Sequence, residues 1–351
     1  MSKQSPYFLL YREKLVKNLT LLQEIESRAG ITILHTLKSF NEATILPTIS
    51  SKISGFSVSS KGELKLAKEA NAKKLHIYSP AFVDSELQEF VKYVDTISFN
   101  SLSQWDRFTN ITASKGLRLN PMLDLEIPNY CNYNSKNSHL GVDYREFLKQ
   151  FAKSKRRFKN LEGLHFHALF KSDSNGVKKL FEHILNNYRE LLPNLKWLNL
   201  GGGHNFTSPN YNIESFFKEL TKFKEQYPNI ELIFEPGEAV LHNCGEFVCT
   251  VLDINDNGDE KSAILNTSTE THLLDVAITK LKPKIKNAVS SGKYSYKLCG
   301  NSCQNGDIIG KYSFEKALKI GYELIFEDML SYTLVKLTRF GGVDKPKLYV
   351  D

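Results

Sequence analysis

The stretch Ile31-Thr32-Ile33-Leu34-His35-Thr36-Leu37-Lys38 is β-prone through Thr36 and ends on a lysine. Runs of the same kind begin at Ile53, Lys74, Thr96 and Leu117, so successive starts differ by 22, 21, 22 and 21 residues. That interval holds one strand, one helix and two short connections. Three more runs follow at residues 163–168, 197–201 and 231–236, which makes eight. Amphipathic stretches lie between them: residues 61–71, with apolar Leu64, Leu66, Ala67 and Ala70, and likewise 82–94 and 178–192. The runs are mostly hydrophobic throughout, as strands covered on both faces are. Eight such units predict an α/β chain with a (β/α)8 TIM-like barrel, a doubly wound sheet being the alternative.

Beyond about residue 240 the rhythm changes. Residues 248–254, 262–267, 294–299, 307–314, 322–326 and 331–337 read as closely spaced strands, separated by the turn signals Asn257-Gly258, Ser291-Gly292 and Asn305-Gly306. They predict a C-terminal antiparallel β domain. Residues 7–11 are also strand-like, and 13–28 look helical, with Leu15, Leu19, Leu22 and Ile25 on one face. The expected division is a barrel over 25–240 and a β domain built from 1–24 and 241–351.

Composition sets the bounds. A chain of 351 residues, 41% hydrophobic and 24% charged, can bury a large core. No apolar run nears the ~20 residues that span a bilayer, and the N-terminal apolar patch is too short for a secretory core. The expectation is a soluble, cytoplasmic protein with no membrane partner. The charge, 46 basic minus 39 acidic residues, is +7 and dispersed. The basic stretches 153–159 and Lys280, Lys282, Lys284, Lys286 lack an aromatic platform, so they read as solvated faces and not as a nucleic-acid site. Five scattered cysteines make a disulfide framework improbable and suit a reducing compartment. Cys299 and Cys303 stand four apart without a histidine or a second pair, so no metal is expected there.

In a barrel the strand C-termini and the loops after them form the active face. Read in order, that face carries Lys38, Ser57, Ser79, Asn100, Asn120, His167, Gly201-Gly202-Gly203 and Glu235. A lysine at a barrel mouth loses hydration, which frees its amine for Schiff-base chemistry; otherwise it simply snorkels. Three glycines let the backbone approach a phosphate, or merely form a tight turn. A carboxylate at a buried strand end needs a partner. That partner is a protonated pyridine nitrogen or an internal cation. His167 is placed to stack on a planar ring, or is a satisfied core side chain. Cys303 and Asp307 flank a turn that displays a thiol and a carboxylate.

Taken in chain order, the strand-end lysine, His167, Gly-Gly-Gly, Glu235-Pro236-Gly237, Cys303-x-x-x-Asp307 and Tyr332-Thr333 resemble the alanine-racemase-like, pyridoxal-phosphate-dependent decarboxylases over nearly the whole chain. Leu37-Lys38-Ser39-Phe40, Gly116 to Pro121, Thr271-His272-Leu273-Leu274-Asp275 and Cys303-Gln304-Asn305-Gly306-Asp307 are similar to the branch that acts on carboxynorspermidine and carboxyspermidine. The resemblance implies that Lys38 holds pyridoxal 5'-phosphate covalently, that His167 stacks on its ring and that Glu235 pairs with the ring nitrogen. It implies phosphate contacts from Gly202, Gly203 and Tyr332, a further cofactor contact from Gly237, and Arg118 near the phenolic side. It further implies a homodimer with shared sites, in which Cys303 and Asp307 reach into the partner's site and Cys303 guides protonation. Glu238 stands where ornithine and diaminopimelate decarboxylases usually carry arginine, and a carboxylate there attracts ammonium groups. Glu238, Asp275, His272 and Asp307 are therefore the candidate contacts for a polyamine substrate. Ser57 replaces the aspartate of ornithine enzymes, which leaves the partner of Arg118 open, and His139 receives no role. The alternatives are a diaminopimelate or ornithine decarboxylase, or a non-catalytic homologue with a regulatory role.

Overall fold

The computed structural model describes residues 3–351. The described residues up to Lys17 together with Leu241–Asp351 form one compact unit, and Asn18–Val240 forms another. The N-terminal division thus falls inside the helix Arg12–Ala29, ahead of residue 25. Residues 1 and 2 of the expected β domain lie outside the described residues.

The second unit is the barrel. Its strands are β1 (Thr32–Thr36), β2 (Gly55–Val58), β3 (Lys74–Tyr78), β4 (Thr96–Phe99), β5 (Ser114–Asn120), β6 (Gly163–His165), β7 (Trp197–Asn199) and β8 (Glu231–Phe234). All pair in parallel with their neighbours, and β8 pairs back onto β1, closing the wall. Closure leaves no open edge. A short strand, Val142–Asp143, adds to the end of β5 and has no counterpart in the sequence rhythm.

The helices start where side chains can cap them. Ser60 accepts the Glu63 N–H, and Asn212 accepts that of Ser215. Helix Ser174–Asn187 buries Val177, Leu180, Phe181 and Ile184, one helical face, and Phe181 stacks on Phe223 at 4.7 Å between centroids. Inside the wall, Trp197 is 2% exposed and clusters with Leu34 and Ile233. Gly116 and Gly163 make its room: a Cβ on Gly163 would stand 2.1 Å from the indole.

In the other unit, the twelve-residue strand Gly245–Asp256 is the spine. It pairs antiparallel with Tyr7–Leu10, Lys261–Leu265 and Glu323–Glu327. Phe8 and Phe247 meet at 4.8 Å in its core. The sheet is mixed, however. Tyr7–Leu10 runs parallel to Lys347–Val350, and Lys261–Leu265 parallel to Tyr294–Cys299. The second pairing needs a long crossover, and the segment between them supplies it with helix Leu274–Thr279. The strand expected over 331–337 is instead a turn and a 3-10 segment, Leu334–Lys336. Tyr332 there has φ +63°, a left-handed conformation that ends an extended run. Among the described residues no helix is long and apolar enough to cross a membrane.

Candidate active site

The barrel brings Lys38, Arg118, His167, Gly202, Gly203, Glu235 and Gly237 to one face, each at or just past a strand end. Lys38 follows β1 and is accessible to solvent. Crowding by the surrounding mouth, and then the nearby Arg118 charge, lower its pKa from the ordinary lysine value. Thr36 and Ser39 beside it press on Gly237, whose added Cβ would lie 2.8 Å from each. The glycine of Glu-Pro-Gly is therefore a spacer that lets two strand ends meet at the lysine.

Arg118, on β5, is 3% exposed. Burial lowers its pKa while Tyr78 and Glu235 raise it. The question left by Ser57 has an answer in Tyr78: the guanidinium lies 4.5 Å over that ring. The Tyr78 hydroxyl donates to Asn100 Oδ1 at 2.7 Å, which fixes the platform. The His139 carbonyl accepts from Asn100 Nδ2 at 3.0 Å.

Glu235 directly follows β8, at 6% exposure. Its Oε1 accepts from Asn199 Nδ2 at 2.7 Å, and Asn199 Oδ1 accepts the Gly201 N–H at 2.8 Å. One asparagine thus ties the carboxylate to the glycine loop. Gly201 and Gly203 have φ of +66° and +85°, and a Cβ on Gly203 would stand 2.0 Å from the Leu169 carbonyl. The loop requires glycine on both counts. The Gly202 N–H donates to His167 Nδ1 at 3.0 Å, so the proton of the neutral ring is on Nε2. Burial, reinforced by Lys38 and Arg118, pushes the His167 pKa well below the usual imidazole value.

Glu238 is engaged: Lys171 Nζ lies 2.6 Å from its Oε1. Lys171 has φ +43°, and the adjacent Ser172 N–H donates to the Gly203 carbonyl, so the lysine is held beside the glycine loop. Nothing in the sequence pattern singles this lysine out. Asn199, Tyr78 and His76 were equally silent, since each lies in an ordinary strand run.

The β unit carries the other five residues. Asp307 is 3% exposed and its carboxylate is occupied from within. Oδ1 accepts from the Thr269 N–H and hydroxyl at 2.7 and 2.9 Å, and Oδ2 from the Ser302 N–H at 3.1 Å. Burial alone would raise its pKa, but these donors outweigh it and hold the carboxyl below its usual value. The carboxylate sits where a Cβ on Gly300 would be, 2.2 Å away. Asp307 thereby shapes a loop on which Cys303 is exposed. His272 is 1% exposed, between Thr267 Oγ1 at 3.1 Å and the Asp344 carbonyl at 3.1 Å. Burial lowers its pKa. Asp275 Oδ2 accepts from the Thr333 hydroxyl at 3.0 Å, while its buried Oδ1 has no hydrogen-bond partner among the described residues. The Tyr332 ring lies 5.6 Å beneath Lys336 Nζ. Among the described residues no group of three His, Cys, Asp or Glu side chains is arranged to hold a metal ion.

Residues 13–242 match the pyridoxal binding domain of the pyridoxal-dependent decarboxylases. The carboxynorspermidine/carboxyspermidine decarboxylase of Campylobacter jejuni is 33% identical, over 98% of this chain and 92% of that protein. The carboxyaminopropylagmatine decarboxylase of Synechocystis is also 33% identical, over 99% and 90%. The crystal structure of the Campylobacter jejuni carboxynorspermidine decarboxylase complexed with norspermidine superposes with a TM-score of 0.89 at 32% identity, covering 99% of this chain and 94% of that one. The barrel face fits pyridoxal phosphate. It has one amine of lowered pKa, a buried carboxylate, a neutral imidazole locked by the loop, and a backbone cradle that a single Cβ would fill.

Proposed function

The chain belongs to the pyridoxal-dependent decarboxylases, and on that premise we propose that it removes CO2 from carboxynorspermidine or carboxyspermidine, leaving norspermidine or spermidine in polyamine biosynthesis. The gathering of Lys38, Arg118, His167, Gly201 to Gly203 and Glu235 on one barrel face carries the reading. When bound, pyridoxal phosphate supplies an electron sink for the carbanion that loss of CO2 creates.

The chain's own residues do the rest. Lys38 is an amine whose lowered pKa leaves more of it unprotonated and nucleophilic. Glu235, tethered at Oε1 by Asn199, would offer its carboxylate to a ring N–H. His167 presents a neutral ring face whose tilt the Gly202 N–H sets. Arg118, braced on Tyr78, offers a fixed cation that would suit the cofactor's phenolic oxygen. Glu238 already holds one ammonium group, that of Lys171, and a triamine's ammonium is the same chemistry. Asp275 keeps a buried oxygen without a partner in the β unit, a second place for an ammonium. Asp307 stabilises the loop that exposes the Cys303 thiol, which in a homodimer would supply the partner protomer's site with the proton that replaces the lost carboxyl group.

Purified protein should show a visible cofactor band that borohydride fixes onto Lys38. CO2 release should be fastest with carboxynorspermidine, carboxyspermidine or both, and slower with carboxyaminopropylagmatine, diaminopimelate and ornithine. Faster turnover of any of the last three would replace the proposed substrate. A cofactor band with no turnover of any would indicate a regulatory homologue.

A further inference from the structure

Beneath Glu235, inside the closed wall, stand two histidines that the chemistry above leaves unused. His76 comes from β3 and His165 from β6, at 0% and 1% exposure. Their rings meet edge to face, with centroids 5.4 Å apart. Each faces a different oxygen of the carboxylate. His76 Nε2 is 3.8 Å from Oε1, and His165 Nε2 is 3.9 Å from Oε2. Burial lowers the pKa of both, well below the usual value for His165, so each ring is neutral and carries one N–H.

The two rings differ in how they are satisfied. His76 Nδ1 meets the Thr96 hydroxyl at 2.7 Å, and its Nε2 meets the Ser98 hydroxyl at 3.1 Å. Among the described residues neither nitrogen of His165 has a hydrogen-bond partner. Its other neighbour is the Tyr78 ring, edge-on at 5.4 Å. A buried polar group left unpaired costs free energy, so a fold that keeps one beside a carboxylate retains a contact waiting to be made. Glu235 can make it. Asn199 anchors Oε1, so rotation about that hydrogen bond swings Oε2, and roughly 1 Å of travel brings it within reach of a ring N–H. The other charged groups that face this carboxylate are Lys38 and Arg118.

We propose that His165 is a positioning residue for Glu235. When a cationic ring N–H draws on the carboxylate, His165 Nε2–H would take Oε2 from within the barrel, while Asn199 holds Oε1. The carboxylate is then clamped from below in the orientation that the ring nitrogen needs. This inference rests on the pyridoxal reading given above.

The test compares His165→Phe, which keeps the volume and removes the donor, with His165→Gln, whose amide stands where Nε2 stood. Three quantities are read: the dissociation constant of pyridoxal phosphate from the resolved protein, the split between kcat and KM, and the histidine ring N–H proton spectrum of the cofactor-loaded protein. In His165→Phe, cofactor binding should weaken about tenfold and kcat should fall 10- to 100-fold, with KM within about twofold. His165→Gln should recover both to within about threefold. One hydrogen-bonded ring N–H resonance should appear on cofactor loading of the wild type and be missing from both variants. Should His165→Phe fail to fold, His165→Asn, whose shorter amide stops short of Oε2, replaces it. Unchanged cofactor affinity and kcat in the donor-free variant would overturn the inference alone. A wild-type protein that forms no cofactor band would overturn the pyridoxal reading, and this inference with it.

Discussion

Adding one methyl group at Gly202 should weaken cofactor binding without unfolding the barrel. The ideal Cβ stands 2.6 Å from the Glu235 carbonyl oxygen and 3.3 Å from His167 Cε1, against an ordinary contact of at least 3.4 Å. The carbonyl is backbone, so the glycine loop must retreat by about 0.8 Å or push on Glu235; overpacking of this kind costs about 1–3 kcal/mol. The loop can relax by opening, so the strain should fall on the bound state. At about 1.4 kcal/mol per tenfold, Gly202→Ala should raise the dissociation constant of pyridoxal phosphate about 5- to 150-fold. Absorbance titration of the cofactor-free protein reads it directly, and the thermal midpoint of that protein should stay within a few degrees of wild type. The control is Gly62→Ala in helix Lys61–Glu69, where the nearest atom to a new Cβ is 3.9 Å away. It should bind the cofactor normally and gain up to about 1 kcal/mol of stability. Binding by Gly202→Ala within twofold of wild type would refute the close-approach argument, as would an equal loss in Gly62→Ala.

Other outcomes follow from the same geometry. Burial holds the His35 and His204 imidazoles at a pKa of about 4, against about 6.5 in the unfolded chain. The unfolded state therefore binds more protons below pH 6.5, and the stability present above that pH is lost as pH falls towards 4. At pH 5 each histidine should cost roughly 2 kcal/mol, and urea midpoints that stay flat from pH 7 to 5 would contradict this. If Lys171 competes with the substrate's ammonium for Glu238, Lys171→Ala should lower the triamine KM, up to about fivefold for a half-exposed pair; a raised KM counts against competition. Asp307→Asn turns an amide onto backbone donors and should cost about 1–3 kcal/mol, seen as faster amide exchange across residues 267–307. Wild-type exchange there would mean that the loop does not depend on the carboxylate.

The barrel was legible because its constraint is periodic. A strand, a helix and two short turns repeat at nearly constant length, and each strand must be apolar on both sides. The lysine, the histidine, the glycine loop and Glu235 follow because strand ends are where such a fold displays chemistry. The β unit was harder to read. Strand runs reveal neither direction nor partner, so the parallel pairings of Tyr7–Leu10 and Lys261–Leu265 had no local signal. Residues 331–337 are β-prone, yet Tyr332 is held left-handed by tertiary context that overrides local preference. The support of the site was hidden for another reason. Asn199, Tyr78 and His165 act across strands, through contacts between residues far apart in sequence, and a one-dimensional pattern carries no trace of them. The Asp307 carboxylate also accepts from Thr269 and Ser302, contacts within its own loop that the Cys303-x-x-x-Asp307 spacing does not disclose.

The parallel ladder between Tyr7–Leu10 and Lys347–Val350 has a consequence for biogenesis. The two strands are made 340 residues apart (347 minus 7). At roughly 5–20 residues per second on the ribosome, about 20–70 s separate them. The whole stretch Asn18–Val240 is synthesised within that interval. Throughout it the early strand, with Phe8 and Leu10 destined for full burial, carries an unpaired edge. Slow translation at any point between the two strands should therefore prolong the exposure of that edge and lower the yield of native protein.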